Sequence, residues 1–424
     1  MNIALVIPEF NLIEGNYRSL SVYTYRTAKS LIQLGHRPVI FTTGLQNEKI
    51  NYDEIEIHFT KINKRDEKWY SNKFLHKPYS LARKAFYQKT AWHKLNDHLE
   101  KKLYPETLSE QLNDTLLQAH KEIKFDIIHY AQENAPGYCK PDNIPVEIRV
   151  SLPHKINMTH EGFIADKYIR SRHNFEIKAL QKADALFGSA SEIIEILEKE
   201  LKRKITSIEP TYVSTVSKID DSVYEKQLTG KKYILFYGTL NMKNGTDTVA
   251  DMMADFLRQH TDYYFVFVGE HSVSPYPKLN MLQYVQKKAM EHSNRLICFD
   301  NLPQSQLFPI IKNSFAVVLP SRYDSFSNSK IEALAHKRIV VGTKNVGDEK
   351  LIENNKNGFL ITKEGHKELL YTLTNIILLS AQKKQEMEEE SGKRILNLSP
   401  ETAGKHLVDF YIKTISSFKS KQVL

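Results

Sequence analysis

The chain has 424 residues, more than a single hydrophobic core of ordinary size accommodates, so two domains are expected. Hydrophobic residues make up 41% of it, and no apolar run approaches the length of a membrane span, so a soluble globular protein is predicted. The net charge of +9 favours an anionic partner, for which a membrane surface, a sugar nucleotide and nucleic acid all qualify.

The N-terminus and the cysteines both indicate a cytoplasmic protein. The first residues, MNIALVIPEF, contain neither a basic segment nor a cleavage site, and their apolar run is typical of a first strand. Cys139 and Cys298 are far apart and do not have metal-ligand spacing, so reduced thiols are expected.

The first part of the chain predicts a strand–loop–helix–strand unit. Residues 2–8 form an apolar run, residues 20–34 have apolar positions at helical spacing, and residues 37–43 form a second strand. The loop before the helix contains Gly15 and Asn16. Gly15 fits a plain turn as well as it fits a loop that approaches a ligand.

Residues 61–94 have a different composition, with ten lysines or arginines against two acids and both tryptophans of the chain. A basic, aromatic, amphipathic segment fits docking on an anionic bilayer. It fits equally a solvated helical face whose aromatic rings lie in the core, because lysine and arginine stems often cover apolar surface. Nucleic-acid binding is a third explanation, but no recognised module supports it.

Two further strands carry ionisable residues. Residues 125–130 include His129, and residues 146–150 include Arg149, with His154 in the loop that follows. A lone histidine within an apolar strand is more often a core residue than a ligand-binding one. Beyond them, the polar residues 212–231 are predicted to link two domains.

The second half opens with a predicted strand at 233–237, a loop beginning at Gly238, and a helix from about Thr246. Further on, an apolar run at 315–319 ends at Pro320-Ser321, a turn signal, and a polar loop leads into a helix from Ser329. Loops of this kind lie at the carboxyl end of a parallel sheet, where ligands bind. The free N–H groups at the start of a helix also favour anions.

The segment from Pro320 resembles the signature of retaining GT-B glycosyltransferases of the family 4 type, also called glycosyl transferases group 1. That signature is P-S-x-x-E-x-F with a second glutamate eight residues after the first. The matching positions here are Pro320, Ser321, Asp324, Phe326, Glu332 and Ala333. A subgroup whose loop is similar to YDNFPNT also matches at Tyr323 and Asn328, while Asp324 stands where the family usually has glutamate and Ser327 where it has a loop glycine.

The resemblance implies a role for each matching residue. In the family the first acid contacts the donor sugar and the second holds the ribose hydroxyls, so these roles come to Asp324 and Glu332. The family's arginine and lysine neutralise the leaving diphosphate; Lys243 matches the lysine, but Thr239 replaces the arginine, and Arg322 is the suggested substitute. The implied donor-binding residues are Gly238, Thr239, Lys243, Arg322, Phe326, Ser327, Asn328, Ser329 and Glu332. The implied catalytic residues are Asp324, Lys243 and Glu332.

On the acceptor side the resemblance implies Gly15, Asn16, His129, Arg149 and His154, although the second loop glycine is Asn16 and the family's histidine is Ser151. It implies an α/β GT-B fold, two Rossmann-like domains facing across a cleft. We expect an acceptor domain at 1–212, a nucleotide-sugar domain at 213–400, and a terminal segment, 401–424, that crosses back onto the first domain.

The implied activity is a retaining transfer of a sugar from a nucleotide-diphosphate sugar, with UDP favoured, to a hydroxyl of a glycan or lipid-linked acceptor. Neither a metal nor another cofactor is expected. A non-catalytic partner subunit and a sugar-nucleotide epimerase remain alternatives. Individual residues also have simpler explanations, since Ser329-x-x-Glu332 fits a capping box and Asp324 fits a turn.

Overall fold

The structure is a computed structural model that describes residues 1–13, 18–63, 89–160, 164–216, 218–272, 274, 279–324 and 326–422, with only the backbone for 89–103. Gly15, Asn16 and most of the predicted basic patch at 61–94 therefore lie outside the described residues. Among the helices that are described, none is both long and apolar enough to cross a membrane.

The first domain is built on one mostly parallel sheet. Its strands are β1 (Asn2–Val6), β2 (Arg37–Gly44), β3 (Glu48–Tyr52), β4 (Ile55–Lys61), β5 (Ile127–Ala131), β6 (Val146–Arg149), β7 (Ala185–Gly188) and β8 (Thr206–Ser207). Their order is β3-β4-β2-β1-β5-β6-β7-β8, and only the edge pair β3–β4 is antiparallel. The helices are α1 (Ser19–Gln33), α2 (Lys89–Ile123), α3 (His154–His160), α4 (Lys167–Lys182) and α5 (Ser191–Leu201).

The second domain follows a short helix, α6 (Ser222–Gln227), and has a fully parallel sheet. The strands are β9 (Lys232–Tyr237), β10 (Tyr263–Val268), β11 (Leu296–Phe299), β12 (Ala316–Val318), β13 (Val340–Thr343) and β14 (Gly358–Ile361), in the order β11-β10-β9-β12-β13-β14. The helices are α7 (Thr246–Gln259), α8 (Met281–Ala289), α9 (Gln304–Lys312), α10 (Asn328–Ala335), α11 (His366–Leu378) and α12 (Ala381–Leu396).

Parallel strands covered by helices on both faces need apolar side chains on both faces. The run at Tyr233–Tyr237 meets this requirement, because each of its side chains is buried. The predicted α/β class with two Rossmann-like domains is confirmed by the two sheets and their helices.

The last helix, α13 (Lys405–Gln422), follows a single π-helical turn at Pro400–Gly404 and packs on the first domain. Leu407 and Tyr411 are buried in the cluster that contains Ile3 and Leu5 of β1. Through this buried helix face, the end of the chain returns from the second domain to the first.

Candidate functional site

Two loops of the second domain meet at the carboxyl ends of neighbouring strands. The loop after β9 carries Lys243, and the loop after β12 carries Asp324. The backbone N–H of Arg322 donates to the Lys243 carbonyl over 2.7 Å. Gly245 has φ +76, and a Cβ there would lie 2.1 Å from the Pro320 carbonyl oxygen, so the loops approach this closely only with glycine.

Helix α10 begins where the β12 loop ends, and its cap is Ser327. The Ser327 hydroxyl accepts from the backbone N–H of Lys330 over 3.4 Å. The alternative that Ser329 and Glu332 form a capping box is therefore wrong, because Ser329 lies inside the helix and Glu332 bonds elsewhere. The N-terminal end of α10 therefore lies next to the loop that follows β12, where the sequence predicts an anion-binding helix end.

Glu332 is buried and bonded on one oxygen by two side chains. Oε1 accepts from the Arg26 guanidinium over 2.8 Å and from the Gln304 amide over 2.8 Å. Burial raises the pKa of Glu332, while Arg26 and Gln304 oppose that shift by stabilising the carboxylate. The predicted ribose anchor is thus already held in place by a cation from the other domain.

Arg26 lies on α1 of the first domain and is 1% exposed. Besides Glu332, it donates to the Val213 carbonyl over 3.1 Å and to Asn328 Oδ1 over 3.3 Å, and its guanidinium lies 4.8 Å from the Tyr212 ring centroid. Asn328 in turn donates to the Ser19 carbonyl over 2.9 Å. Helices α1 and α10 therefore join the two domains directly at the predicted donor site.

Lys243 faces the first domain across the cleft. Its ammonium donates to Asn157 Oδ1 of α3 over 2.9 Å. On the same side, the His160 ring lies 4.4 Å from the Tyr323 ring. Burial lowers the pKa of His160, and the charges of Lys363, Lys243 and Arg322 lower it further. Three cations therefore lie close enough to His160 to affect it, near the loop where the resemblance implies a diphosphate.

Arg322 is engaged by carboxylates. Its guanidinium forms a two-point pair with Asp247, at 3.0 and 2.5 Å, and donates to Glu364 over 2.8 Å. It also donates to the Met242 carbonyl. These bonds fix the two loops to each other, and Arg322 would have to leave them to meet a phosphate.

The other predicted donor-site residues divide between the cleft and the core. Asp324 keeps 20% of its side chain exposed, and Thr239 is exposed beside Gly238, which has φ +112. Phe326 is buried in the core of the second domain, with φ +89. A left-handed backbone at an aromatic residue is strained, and such strain is concentrated at functional sites.

On the first-domain side, the structure separates the predicted residues. His129 is buried within β5, with Nδ1 2.8 Å from Glu147 Oε1 and 2.8 Å from the Tyr411 hydroxyl. Arg149 places its guanidinium 3.8 Å from the Tyr23 ring centroid, and its Nε has no hydrogen-bond partner among the described residues. Both residues pack within the domain, and His129 holds α13.

His154 lies instead at the end of the sheet, in a network centred on buried Glu176. Glu176 accepts from the backbone N–H of His154 over 2.9 Å and from the Gln132 amide over 3.3 Å. Burial raises the pKa of Glu176 to about 8 and lowers that of His154 to about 4. The network ties the loops after β5 and β6 together.

Three residues of the site are absent from the sequence prediction: Arg26, Gln304 and Lys330. Arg26 and Glu332 are 306 positions apart, so no local pattern connects them. The only sequence signal for such a residue is a charged side chain at a position that the helix pattern assigns to the core.

Over the described residues, no group of three or more His, Cys, Asp or Glu side chains could hold a metal ion.

Comparison with known proteins gives a family match for the second domain. Residues 219–394 match the model described as "Glycosyl transferases group 1". The spore coat protein SA of Bacillus subtilis (strain 168) is 18% identical over 331 residues, which cover 74% of this chain and 84% of that protein.

Solved structures match over nearly the full length. A sucrose-phosphate synthase from Thermosynechococcus elongatus superposes with a TM-score of 0.71 at 14% identity, covering 98% of this chain and 99% of that one. An alpha,alpha-trehalose-phosphate synthase (UDP-forming) from Burkholderia vietnamiensis gives 0.67 at 12% identity, covering 97% and 98%. At these identities the likeness concerns the fold.

Proposed function

We propose that this chain, a group 1 glycosyltransferase of GT-B fold that uses a nucleotide-sugar donor, is a retaining enzyme of the family 4 type. In this proposal it moves a sugar, with UDP as the favoured carrier, to a hydroxyl of a glycan or lipid-linked acceptor. The observation that carries the proposal is the convergence of two loops and a helix where the second domain meets the first. The loops after β9 and β12 carry Lys243 and Asp324, and helix α10 carries Glu332.

In this proposal Glu332 binds the donor by accepting hydrogen bonds from its ribose hydroxyls. A carboxylate that accepts two hydroxyl hydrogens gives a directional anchor, and it does so only in the ionised form. Arg26 and Gln304 keep Glu332 in one orientation, since both bond its Oε1. The ribose hydroxyls then meet a preformed acceptor instead of a mobile side chain.

The leaving diphosphate is stabilised by Lys243 and by N–H groups at the start of α10, around Asn328 and Ser329. Fixed positive groups aimed at developing charge are the largest contribution in many enzymes. Lys243 would exchange its bond to Asn157 for a phosphate oxygen. Thr239, exposed beside Gly238, lines the same loop without adding charge.

In the reaction, the acceptor oxygen bonds to the anomeric carbon on the face from which the diphosphate leaves. The bond between that carbon and the diphosphate oxygen breaks, and the acceptor proton passes to the leaving phosphate oxygen. Asp324 holds the sugar hydroxyls, and first-domain residues around His154 position the acceptor. The protein supplies no covalent nucleophile in this route.

UDP is favoured as the carrier because the trehalose-phosphate synthase of similar fold is named as UDP-forming.

A lipid-linked acceptor would suit the basic, aromatic segment 61–94, which we propose brings the enzyme to the inner face of a membrane. Flotation with anionic and neutral vesicles tests this, and binding to neither, or binding that salt does not weaken, would contradict it.

The function is tested by thermal unfolding with UDP, GDP, ADP, CMP and their sugars. A ligand at 100 times its dissociation constant adds about 2.7 kcal/mol of stability, so one nucleotide should stabilise the wild type clearly. Glu332→Ala should lose most of this shift and about two orders of magnitude of turnover. Glu332→Gln, which keeps the side-chain volume and one acceptor oxygen, separates loss of the negative charge from loss of packing.

Glu353→Ala is the matched control, because this glutamate is exposed and its carboxylate pairs with Lys356 on the surface. It should behave as wild type. Near-normal turnover of folded Glu332→Ala would contradict the assignment of the donor site.

A second candidate is a non-catalytic partner subunit of the same fold. It is favoured by one observation, that the predicted donor anchors Lys243, Glu332 and Asn328 are all engaged by first-domain groups. If no nucleotide of the panel stabilises the wild type, this candidate replaces the enzyme.

A further inference from the structure

Lys330, in the first turn of α10, is completely buried in the signature segment. Its ammonium lies 2.7 Å from Asp348 Oδ1, 3.4 Å from the Ser321 hydroxyl and 3.5 Å from Asp324 Oδ2. Burial of an ammonium costs several kcal/mol unless it is paired. Here two carboxylates pair with it, and one of them is the acid implied to contact the donor sugar.

Asp348 forms the fixed side of this group. Its Oδ2 accepts from the backbone N–H of Thr343 over 2.8 Å, and a Cβ at Gly342 would lie 2.6 Å from the same oxygen. Burial raises the pKa of Asp348 to about 6, and Lys330 opposes this shift. Asp348 is only 3% exposed, so its carboxylate has little room to move and fixes the position of the lysine ammonium.

Asp324 forms the open side. Its side chain is 20% exposed, against 0% for Lys330 and 3% for Asp348, so Asp324 is the member of the group that is accessible from outside. Burial lowers the pKa of Lys330, but Asp348 and Asp324 outweigh burial and raise it overall, which keeps the ammonium charged.

We propose that Lys330 is a positioning residue of the transferase, which is held in place by Asp348 and directs Asp324 toward the hydroxyls of the donor sugar. The proposal deepens the proposed function and rests on it. The cation acts on the substrate through Asp324, so it should affect recognition of the sugar and leave recognition of the nucleotide intact. Without it, buried Asp348 would lose the cation that opposes its raised pKa and would take up a proton more readily.

The test is a double-mutant cycle on donor kinetics with Lys330→Met, Asp324→Asn and the combined variant. Misplacement of a contact by about 1 Å can cost about 10²-fold, so Lys330→Met should lose up to that factor in kcat/KM for the UDP-sugar. Its affinity for UDP alone, measured by calorimetry, should stay within twofold of wild type. Because Lys330 acts through Asp324, the combined variant should be no slower than Asp324→Asn.

The pH profile gives a second readout. In Lys330→Met the acidic limb of the kcat/KM profile should move to higher pH, because Asp348, beside Asp324, loses the cation that opposes its raised pKa. In the combined variant this shift should disappear. Lys337→Met is the matched control, since Lys337 is exposed at the end of the same helix, and it should match wild type throughout.

Three outcomes overturn the inference while the proposed function stands. They are wild-type kcat/KM in Lys330→Met, loss of UDP affinity equal to the loss of activity, and additive losses in the combined variant. If Lys330→Met does not fold, the combined variant, which also removes one acid, is compared with Asp324→Asn, and a further loss contradicts the inference. Failure of the wild type to bind any nucleotide would instead refute the proposed function.

Discussion

The two sides of the cleft use their predicted residues in different ways. On the donor side, Lys243 and Asp324 lie in loops after strands and Glu332 on the helix behind one of them, and all three reach the cleft or its interdomain contacts. On the acceptor side, His129 and Arg149 lie within central strands and pack inside the domain. A central parallel strand is covered on both faces, so its side chains are available for packing and rarely for ligands.

In both domains, the position of a residue relative to the end of its strand decides whether its side chain can meet a ligand. Loops after strands expose side chains at the ligand end of the sheet. His154, which follows β6, satisfies this rule and is joined to Glu176 at that end. We therefore expect substitutions beyond strand ends to change turnover and substitutions within strands to change stability.

Lys243→Met should give the largest change in turnover of the substitutions that compare the two sides. Removal of a fixed charge from the leaving group should lower kcat by about 10²-fold, with nucleotide affinity changing less. Single-turnover measurements with the UDP-sugar separate the chemical step from product release. Lys356→Met, at an exposed lysine, is the control. Unchanged kcat in Lys243→Met would show that another group carries the diphosphate charge.

Arg26→Met tests the connection between the two sides. Loss of the cation leaves Glu332 buried with Gln304 as its remaining side-chain partner, so the anchor should take up a proton or turn. We expect donor binding to weaken about tenfold, equivalent to about 1.4 kcal/mol, and folding stability to fall by about 3 kcal/mol.

The control for Arg26→Met is Arg37→Met, which breaks an ion pair whose arginine is 55% exposed and should cost less than about 1 kcal/mol. Arg26→Lys keeps the charge without the planar fork and should recover part of the affinity. Donor affinity unaffected in Arg26→Met would mean that Glu332 does not hold the ribose.

Most of the fold and the donor-side loops could be predicted from the sequence, because both depend on local patterns. Apolar runs such as 233–237 form strands, and the turn signal after 315–319 predicts the loop that carries Asp324 and the helix that carries Glu332, while their roles come from the family resemblance. The partners of those acids could not be predicted. Arg26 and Lys330 occupy positions that a helix pattern assigns to the core, and their partners follow from the packing of domains and loops.

Tyr411→Phe should have the smallest effect on turnover and is the sharpest test of the acceptor-side assignment. The Tyr411 hydroxyl meets His129 2.8 Å away in a fully buried contact between α13 and β5. Loss of one such hydrogen bond should lower the free energy of unfolding by about 1 kcal/mol in urea denaturation. If His129 serves only to hold the helix, kcat should stay within twofold of wild type.

Tyr371→Phe removes a hydroxyl from a tyrosine that is 69% exposed and should change neither quantity. A tenfold loss of kcat in Tyr411→Phe, with donor KM unchanged, would mean that His129 belongs to the acceptor site after all. Such a loss would also break the rule drawn from the two sides, because a residue within a central strand would then influence the reaction through the helix that covers it. A change confined to stability keeps the acceptor site at the strand ends, around His154 and Glu176.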